Sequence, residues 1–215
     1  MELYLLNEFL GQVESLIDAK IRDNETQSLY RFLYGGRGGD LVHKMGIHVY
    51  DGATKFCFVR DDLDYVLKMG MQPTDRYRKF CQLECDYYEM AKEQDIAGFF
   101  AEAEKVDEYE GYLIYAQQKA EVYEDETDEK MYSYSRSKID EEDYDDPDDY
   151  EDAVWDGVAE FDVEDQIHAV LGEGFFVNKL VQFCWENCIN DLHNGNWGLI
   201  DGEYVLIDYS GYNWD

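Results

Sequence analysis

The sequence predicts an α+β chain: an antiparallel sheet with one helix packed on it, then a mainly helical portion closing in a β-hairpin. Three observations carry this. Short apolar runs separated by turn residues fill positions 41–69. Longer apolar stripes at helical spacing lie on both sides of that stretch. An Asp201-Gly202 pair stands between two apolar runs near the C-terminal end. The 215 residues are 45% apolar and 16% aromatic, enough to bury a core in spite of a net charge of −32.

The elements follow in order. Leu3, Leu6, Leu10, Val13, Leu16 and Ile17 recur at helical spacing and predict an opening amphipathic helix. Residues 26–33 predict a second, short helix that stops at Gly35-Gly36. The run Gly35-Gly36-Arg37-Gly38-Gly39 has the composition of a phosphate-cradling loop. No apolar strand precedes it and no Lys-Ser/Thr follows, so a helix stop with a flexible connector is expected. Residues 46–50, 55–59 and 65–69 read as a three-stranded meander turning at Asp51-Gly52 and at 60–64. A helix is expected from Thr74, a suitable N-cap with Asp75 in the first turn. Its stripe is Tyr77, Phe80, Cys81, Cys85, Tyr88 and Ala91. Strands over 105–109 and 112–117 flank Glu110-Gly111, and Phe175, Phe176, Leu180, Phe183, Cys184 and Ile189 mark a buried helix.

Charge narrows the function classes. With 18 basic against 50 acidic residues, a broad phosphate-contacting surface for DNA or RNA is excluded, and anionic membranes should repel the chain. No apolar run reaches the ~18 residues of a membrane span, and Met1-Glu2-Leu3 begins no secretory signal, so a cytoplasmic protein is expected. The five cysteines then read as reduced thiols. Cys81/Cys85 and Cys184/Cys188 have i,i+4 spacing, which suits a four-thiolate zinc site or, with no CxxC knuckle present, buried core positions. Residues 121–165 hold 21 acidic and three basic residues, a net −18. Such a block is expected as a solvated or mobile insertion, or as an acidic surface offered to a basic partner.

The segment 189–211 is the most informative. Asp201-Gly202 predicts a type I′ hairpin in which Ile200 faces Glu203, Gly198 faces Val205 and Asn196 faces Ile207. Asn196 and Asp208 then meet at the open end of the hairpin, and Asp191 approaches the same point on a tight loop. Two carboxylates and an amide oxygen are hard donors suited to Mg²⁺, whose shell is completed by phosphate oxygens.

Here the chain resembles the kinase-like superfamily, in its small-molecule phosphotransferase and atypical-kinase branches. Asp191-Leu192-His193-x-x-Asn196 is similar to the family's catalytic loop, and Ile207-Asp208-Tyr209-Ser210-Gly211 to its metal-binding segment. The resemblance implies a two-lobed fold with these parts: a helical extension (1–40), an N-lobe (41–120), the acidic insertion (121–165) and a truncated C-lobe (166–215). It implies Asp191 as catalytic base, Asn196 and Asp208 as metal ligands, Lys68 on the phosphates and Glu84 as that lysine's ion-pair partner. Gly52, Thr54 and Lys55 would form the phosphate-covering turn, and 117–121, beginning at Gln117, the hinge between lobes. ATP and Mg²⁺ are the implied cofactors. His193 reads as a loop brace. Three departures stand out. The covering turn has one glycine, Tyr209 and Ser210 alter the metal segment, and the elements expected after Gly211 to bind substrate are not in the sequence. The expected function is a minimal Mg-ATP-dependent phosphotransferase. The alternatives are an inactive kinase-like binding protein, or an acidic nucleic-acid mimic, engaging a basic partner through 121–165.

Overall fold

The structure is a computed structural model that describes residues 3–23, 28–144 and 146–210. Thr26, within the expected second helix, and Gly211, the end of the expected metal segment, lie outside the described residues. The chain is α+β and divides into two compact units: Met1–Tyr88 with Glu102–Lys119, and Glu89–Ala101 with Ala120–Asp215. The boundary at Lys119/Ala120 falls inside the stretch 117–121 that the resemblance assigns to a hinge.

The first unit is built on a five-stranded antiparallel sheet of order β1-β2-β3-β5-β4. Its strands are β1 (His48–Asp51), β2 (Lys55–Val59), β3 (Tyr65–Gly70), β4 (Ala103–Tyr109) and β5 (Tyr112–Gln118). Strand alternation sorts its residues into two faces. Phe56, Met69 and Ile114 are cross-strand neighbours, as are Phe58, Leu67 and Ala116, and they form one apolar face. That face joins Leu6, Phe9, Val13, Leu16 and Ile17 of α1 (Leu3–Arg22) and Leu29, Phe32 and Leu33 of α2 (Leu29–Tyr34) in one buried cluster. Phe9 was not part of the expected stripe; it is fully buried near Tyr65, whereas Leu3 is exposed.

The glycine run is not a flexible connector. Ser28 caps α2, which stops at Gly35, and a further helix, α3 (Gly36–Lys44), begins at once and takes in the other four residues of the run. Glycine is needed here for proximity. A Cβ at Gly38 would lie 1.9 Å from the Phe32 carbonyl oxygen, so a side chain would push α3 off α2.

The opposite face of the sheet carries Lys55, Cys57, Lys68, Tyr115 and Gln117 and faces α4 (Asp75–Glu93). Gly70, at the end of β3, sets the approach: a Cβ there would come within 2.6 Å of Tyr77 Cβ. β3 is buried along its whole length because both faces are covered.

In the second unit the acidic block folds. The expected solvated insertion forms α5 (Glu124–Lys138) and α6 (Pro147–Ala159) and leads into α7 (Val163–Leu171). Its charges fall where helices accept them. Glu124, Asp125 and Glu126 open α5, and Arg136 and Lys138 close it. The Asp146 and Asp162 carboxylates cap α6 and α7 by accepting from Asp148 N and Asp165 N. Inward residues supply a core of Met131, Tyr150, Val154, Val163, Ile167 and Val170, and Ser135 Oγ donates to the Val154 carbonyl at 2.8 Å. Beyond them lie α8 (Phe175–Glu186) and the hairpin β6 (Trp197–Ile200) and β7 (Glu203–Leu206). Among the described residues no helix is long and apolar enough to cross a membrane.

Candidate functional site

The candidate residues divide between the two units. In the second unit the hairpin has the expected register: Ile200 pairs with Glu203, Gly198 with Val205 and Trp197 with Leu206. Asp201 and Gly202 both have positive φ, +54° and +85°, as a type I′ turn requires. One step further, the Ile207 N–H donates to the Asn196 carbonyl at 2.9 Å, so Asp208 follows directly on the residue facing Asn196. The Asn196 side chain is buried, and its Nδ2 donates to the backbone carbonyl of Asp191 at 2.6 Å. A carbonyl is only an acceptor, so this bond fixes which end of the amide faces Asp191 and turns Oδ1 away from it.

The loop that carries Asp191 is braced on every side. Trp197 Nε1 donates to the Leu192 carbonyl at 2.9 Å, and the Leu192 N–H donates to Gln166 Oε1 of α7 at 3.1 Å. His193 Nδ1 accepts from the Gly195 N–H at 3.1 Å, and its Nε2 lies 3.9 Å from Asp191 Oδ1. That geometry agrees with the loop-bracing role expected for His193. Asn194 reaches back to Asp128 of α5 at 3.0 Å. Tyr209 is fully buried; its hydroxyl donates to the Ala101 carbonyl at 2.9 Å and its ring meets Phe100 edge-on. The segment after Asp208 is therefore anchored by an aromatic ring and by the hydrogen bond of its hydroxyl.

In the first unit four of the expected residues, Lys55, Lys68, Glu84 and Gln117, are buried between the sheet and α4, whereas Gly52 and Thr54 lie in the turn before β2. Glu84 of α4 is fully buried; its Oε1 lies 2.8 Å from Lys55 Nζ, and its Oε2 accepts from the Tyr115 hydroxyl at 2.5 Å and from Gln117 Nε2 at 3.4 Å. Lys68, in the middle of β3, stands across from Cys57 and Tyr115 on the same face and is also buried. The ion pair with Lys55, placed by sequence in the covering turn rather than on Glu84, was not legible in the spacing. Gln117, expected at the hinge, turns its side chain into this cluster. The turn itself spans Gly52 to Thr54: the Gly52 N–H donates to the Lys55 carbonyl at 3.0 Å and the Met71 N–H to the Thr54 carbonyl at 3.1 Å. Gly52 is exposed and Thr54 is buried.

The cysteines are spread between the units. Cys81, Cys85 and Cys184 are buried, and Cys188 is exposed beyond the end of α8, so it does not share a helix face with Cys184. Burial pushes the Cys85 and Cys184 thiols up to about 12, with Glu84 adding to the rise at Cys85. Among the described residues no group of three or more His, Cys, Asp and Glu is placed to hold a metal.

No protein-family model matches the sequence, and no curated protein matches it either.

Proposed function

We propose that the chain is a minimal kinase-like phosphotransferase that uses Mg-ATP to phosphorylate an acceptor hydroxyl. In this reading the first unit is the N-lobe and the second the C-lobe. The observation that carries it is the Asn196 amide, held by the Asp191 carbonyl at the open end of a type I′ hairpin with Asp208 next in line. The donor chemistry fits magnesium: Asp208 and Asn196 would hold it through hard oxygens. When bound, it would supply charge neutralisation on the phosphates. Asp191 would orient the acceptor hydroxyl and take its proton as the acceptor oxygen bonds to the γ-phosphorus and the bond from that phosphorus to the ADP oxygen breaks, releasing ADP.

The test is nucleotide-dependent stabilisation. Wild type should gain about 2.7 kcal/mol when free Mg-ATP is 100-fold above its dissociation constant. Asp208→Ala should abolish that gain. Asp191→Ala should keep it and lose phosphate transfer to any hydroxyl acceptor. Wild type that shows no magnesium-dependent shift in millimolar ATP would remove the proposal.

A second reading keeps the scaffold without turnover and uses residues 121–165 to engage a basic partner, as an inactive kinase-like protein or a nucleic-acid mimic. The ordered helices α5 and α6 favour it, because they hold the acidic side chains in fixed array. Nucleotide binding without transfer would favour this alternative.

A further inference from the structure

We propose that the cleft lined by α5, α7 and α8 in the second unit binds a linear polyamine. This site shares no residue with the loop and hairpin of the phosphotransferase reading and does not depend on it. The cleft has a volume of about 710 Å³, in the range of small-molecule sites. It is elongated: along α8 its lining runs from Asn178 to Trp185, about 10 Å at the helical rise.

Its charge is one-sided. Asp162, Glu164, Asp165, Glu173 and Glu186 line it, against the single lysine Lys138. That lysine shows how the cleft holds an ammonium. Lys138 Nζ pairs with the Asp165 carboxylate and lies over the Tyr134 ring, 4.4 Å from its centroid. The other four carboxylates have no Lys or Arg partner among the described residues. Asp162 and Glu164 are accounted for by the start of α7, where Asp162 caps the helix. Glu173 and Glu186 are not. The last turn of α8 contains no basic residue, so its partial negative charge falls at the end that carries Trp185 and Glu186. Trp185 is 55% exposed and lines the cleft, and among the described residues its ring meets no aromatic or cationic neighbour. An indole beside unpaired carboxylates is a second seat for an ammonium, of the kind that Tyr134 and Asp165 already provide.

The spacing selects the class of cation. Among the described residues no three His, Cys, Asp or Glu converge to hold a metal ion, so these carboxylates are strung along the cleft. A divalent ion needs converging oxygens. A chain of ammonium groups separated by methylenes meets charges that are spread out, and its methylenes lie against aromatic rings.

The experiment is calorimetric titration of the full chain with spermidine in about 0.15 M salt, which screens exposed surface charge. Wild type should bind saturably. Glu173→Gln/Glu186→Gln should weaken binding about tenfold, whereas Asp149→Asn/Asp152→Asn, which removes the same charge from α6 outside the cleft, should stay within about twofold. Trp185→Ala should weaken it about fivefold at unchanged net charge, and Trp185→Phe should recover part of the loss. Melting of each variant without ligand checks that it is folded. Equal losses in the two double variants would mean a diffuse cation atmosphere and overturn the site, as would Trp185→Ala binding like wild type. Displacement of spermidine by an equal concentration of Mg²⁺ would overturn it too. So would an arginine-rich peptide binding where spermidine does not, because the cleft would then serve a polypeptide.

Discussion

Asn196→Asp is the most demanding substitution the structure offers, because it improves a metal ligand on paper and breaks the loop that presents it. The amide donates to the Asp191 carbonyl at 2.6 Å from a buried position. A carboxylate of the same shape has no hydrogen to give, so two acceptors would face each other and the carbonyl would be stranded. That costs about 1–3 kcal/mol before any repulsion between carboxylates is counted. Asn196→Ala strands the same carbonyl without adding charge, so it sets the baseline. Without magnesium the expected order of stability is wild type, then Asn196→Ala, then Asn196→Asp. If Asp208 and residue 196 share a magnesium ion, added Mg²⁺ should raise Asn196→Asp above Asn196→Ala, because the extra carboxylate is then neutralised.

Tryptophan fluorescence suits the measurement. Among the described residues the tryptophans, Trp155, Trp185 and Trp197, lie in the second unit, and Trp197, fully buried and bonded to Leu192, follows Asn196 in the chain. A loss of 1 kcal/mol should lower the unit's midpoint by about 4–8 °C for a unit near 100 residues. Asn196→Asp melting with wild type in EDTA would show that the amide is not acting as the donor, and the physical basis for the catalytic-loop assignment would go with it.

Three further outcomes are expected. Gly38→Ala should cost about 3 kcal/mol by urea unfolding, since its Cβ would meet the Phe32 oxygen at 1.9 Å; Gly39→Ala, whose Cβ meets only the Leu33 oxygen at 3.6 Å, should gain about 0.5–1 kcal/mol as a helix-interior glycine is replaced. Raising ionic strength from about 0.01 to 0.15 M, which shortens the Debye length from about 30 to about 8 Å, should raise the melting temperature reported by tryptophan, and an unchanged value would mean that the acidic helices do not repel one another. The Cys85 and Cys184 thiols are higher in the folded chain, at about 12, than the ordinary value of 9.0, so their contribution is complete below about pH 9 and should be lost as pH rises from there toward 12. Rapid labelling of Cys188 alone among these three at neutral pH would agree, and fast reaction of Cys85 would contradict its burial.

What the sequence made legible was local. β2 begins and ends where the alternation says, because two turn signals bracket it. The hairpin register followed from Asp201-Gly202, since a two-residue turn with both φ positive leaves one way to pair the strands. What stayed hidden depended on partners distant in sequence. Phe9 is buried by Tyr65 and the sheet rather than by the stripe of its own helix. Tyr87, not the expected Tyr88, turns inward on α4, a one-residue rotation that periodicity alone does not fix. The acidic block was read from its charge total, whereas its folding depends on position: carboxylates sit at caps and first turns, and the few apolar residues between them point one way. Deleting 140–152 would remove the buried Tyr150, so separability does not follow from net charge.

The charge also divides unevenly, and that bears on how so acidic a chain could bind a nucleotide. Residues 1–88 and 102–119 hold 19 acidic and 13 basic side chains, a net −6, while the second unit holds 31 and five, a net −26. The unit with Lys55 and Lys68 therefore has most of the basic residues, and the two lysines are buried on one sheet face beside a carboxylate held by hydrogen bonds. Local field at a buried site is set by what lies within a few ångströms, whereas distant surface charge is screened over about 8 Å in physiological salt. Net charge thus argues against broad contact with nucleic acid without arguing against a small polyphosphate. It places the opposition to ATP mainly at Asp191 and Asp208, where neutralisation by a divalent cation is what the phosphotransferase reading requires. Nucleotide binding that persists in EDTA would contradict that division of labour.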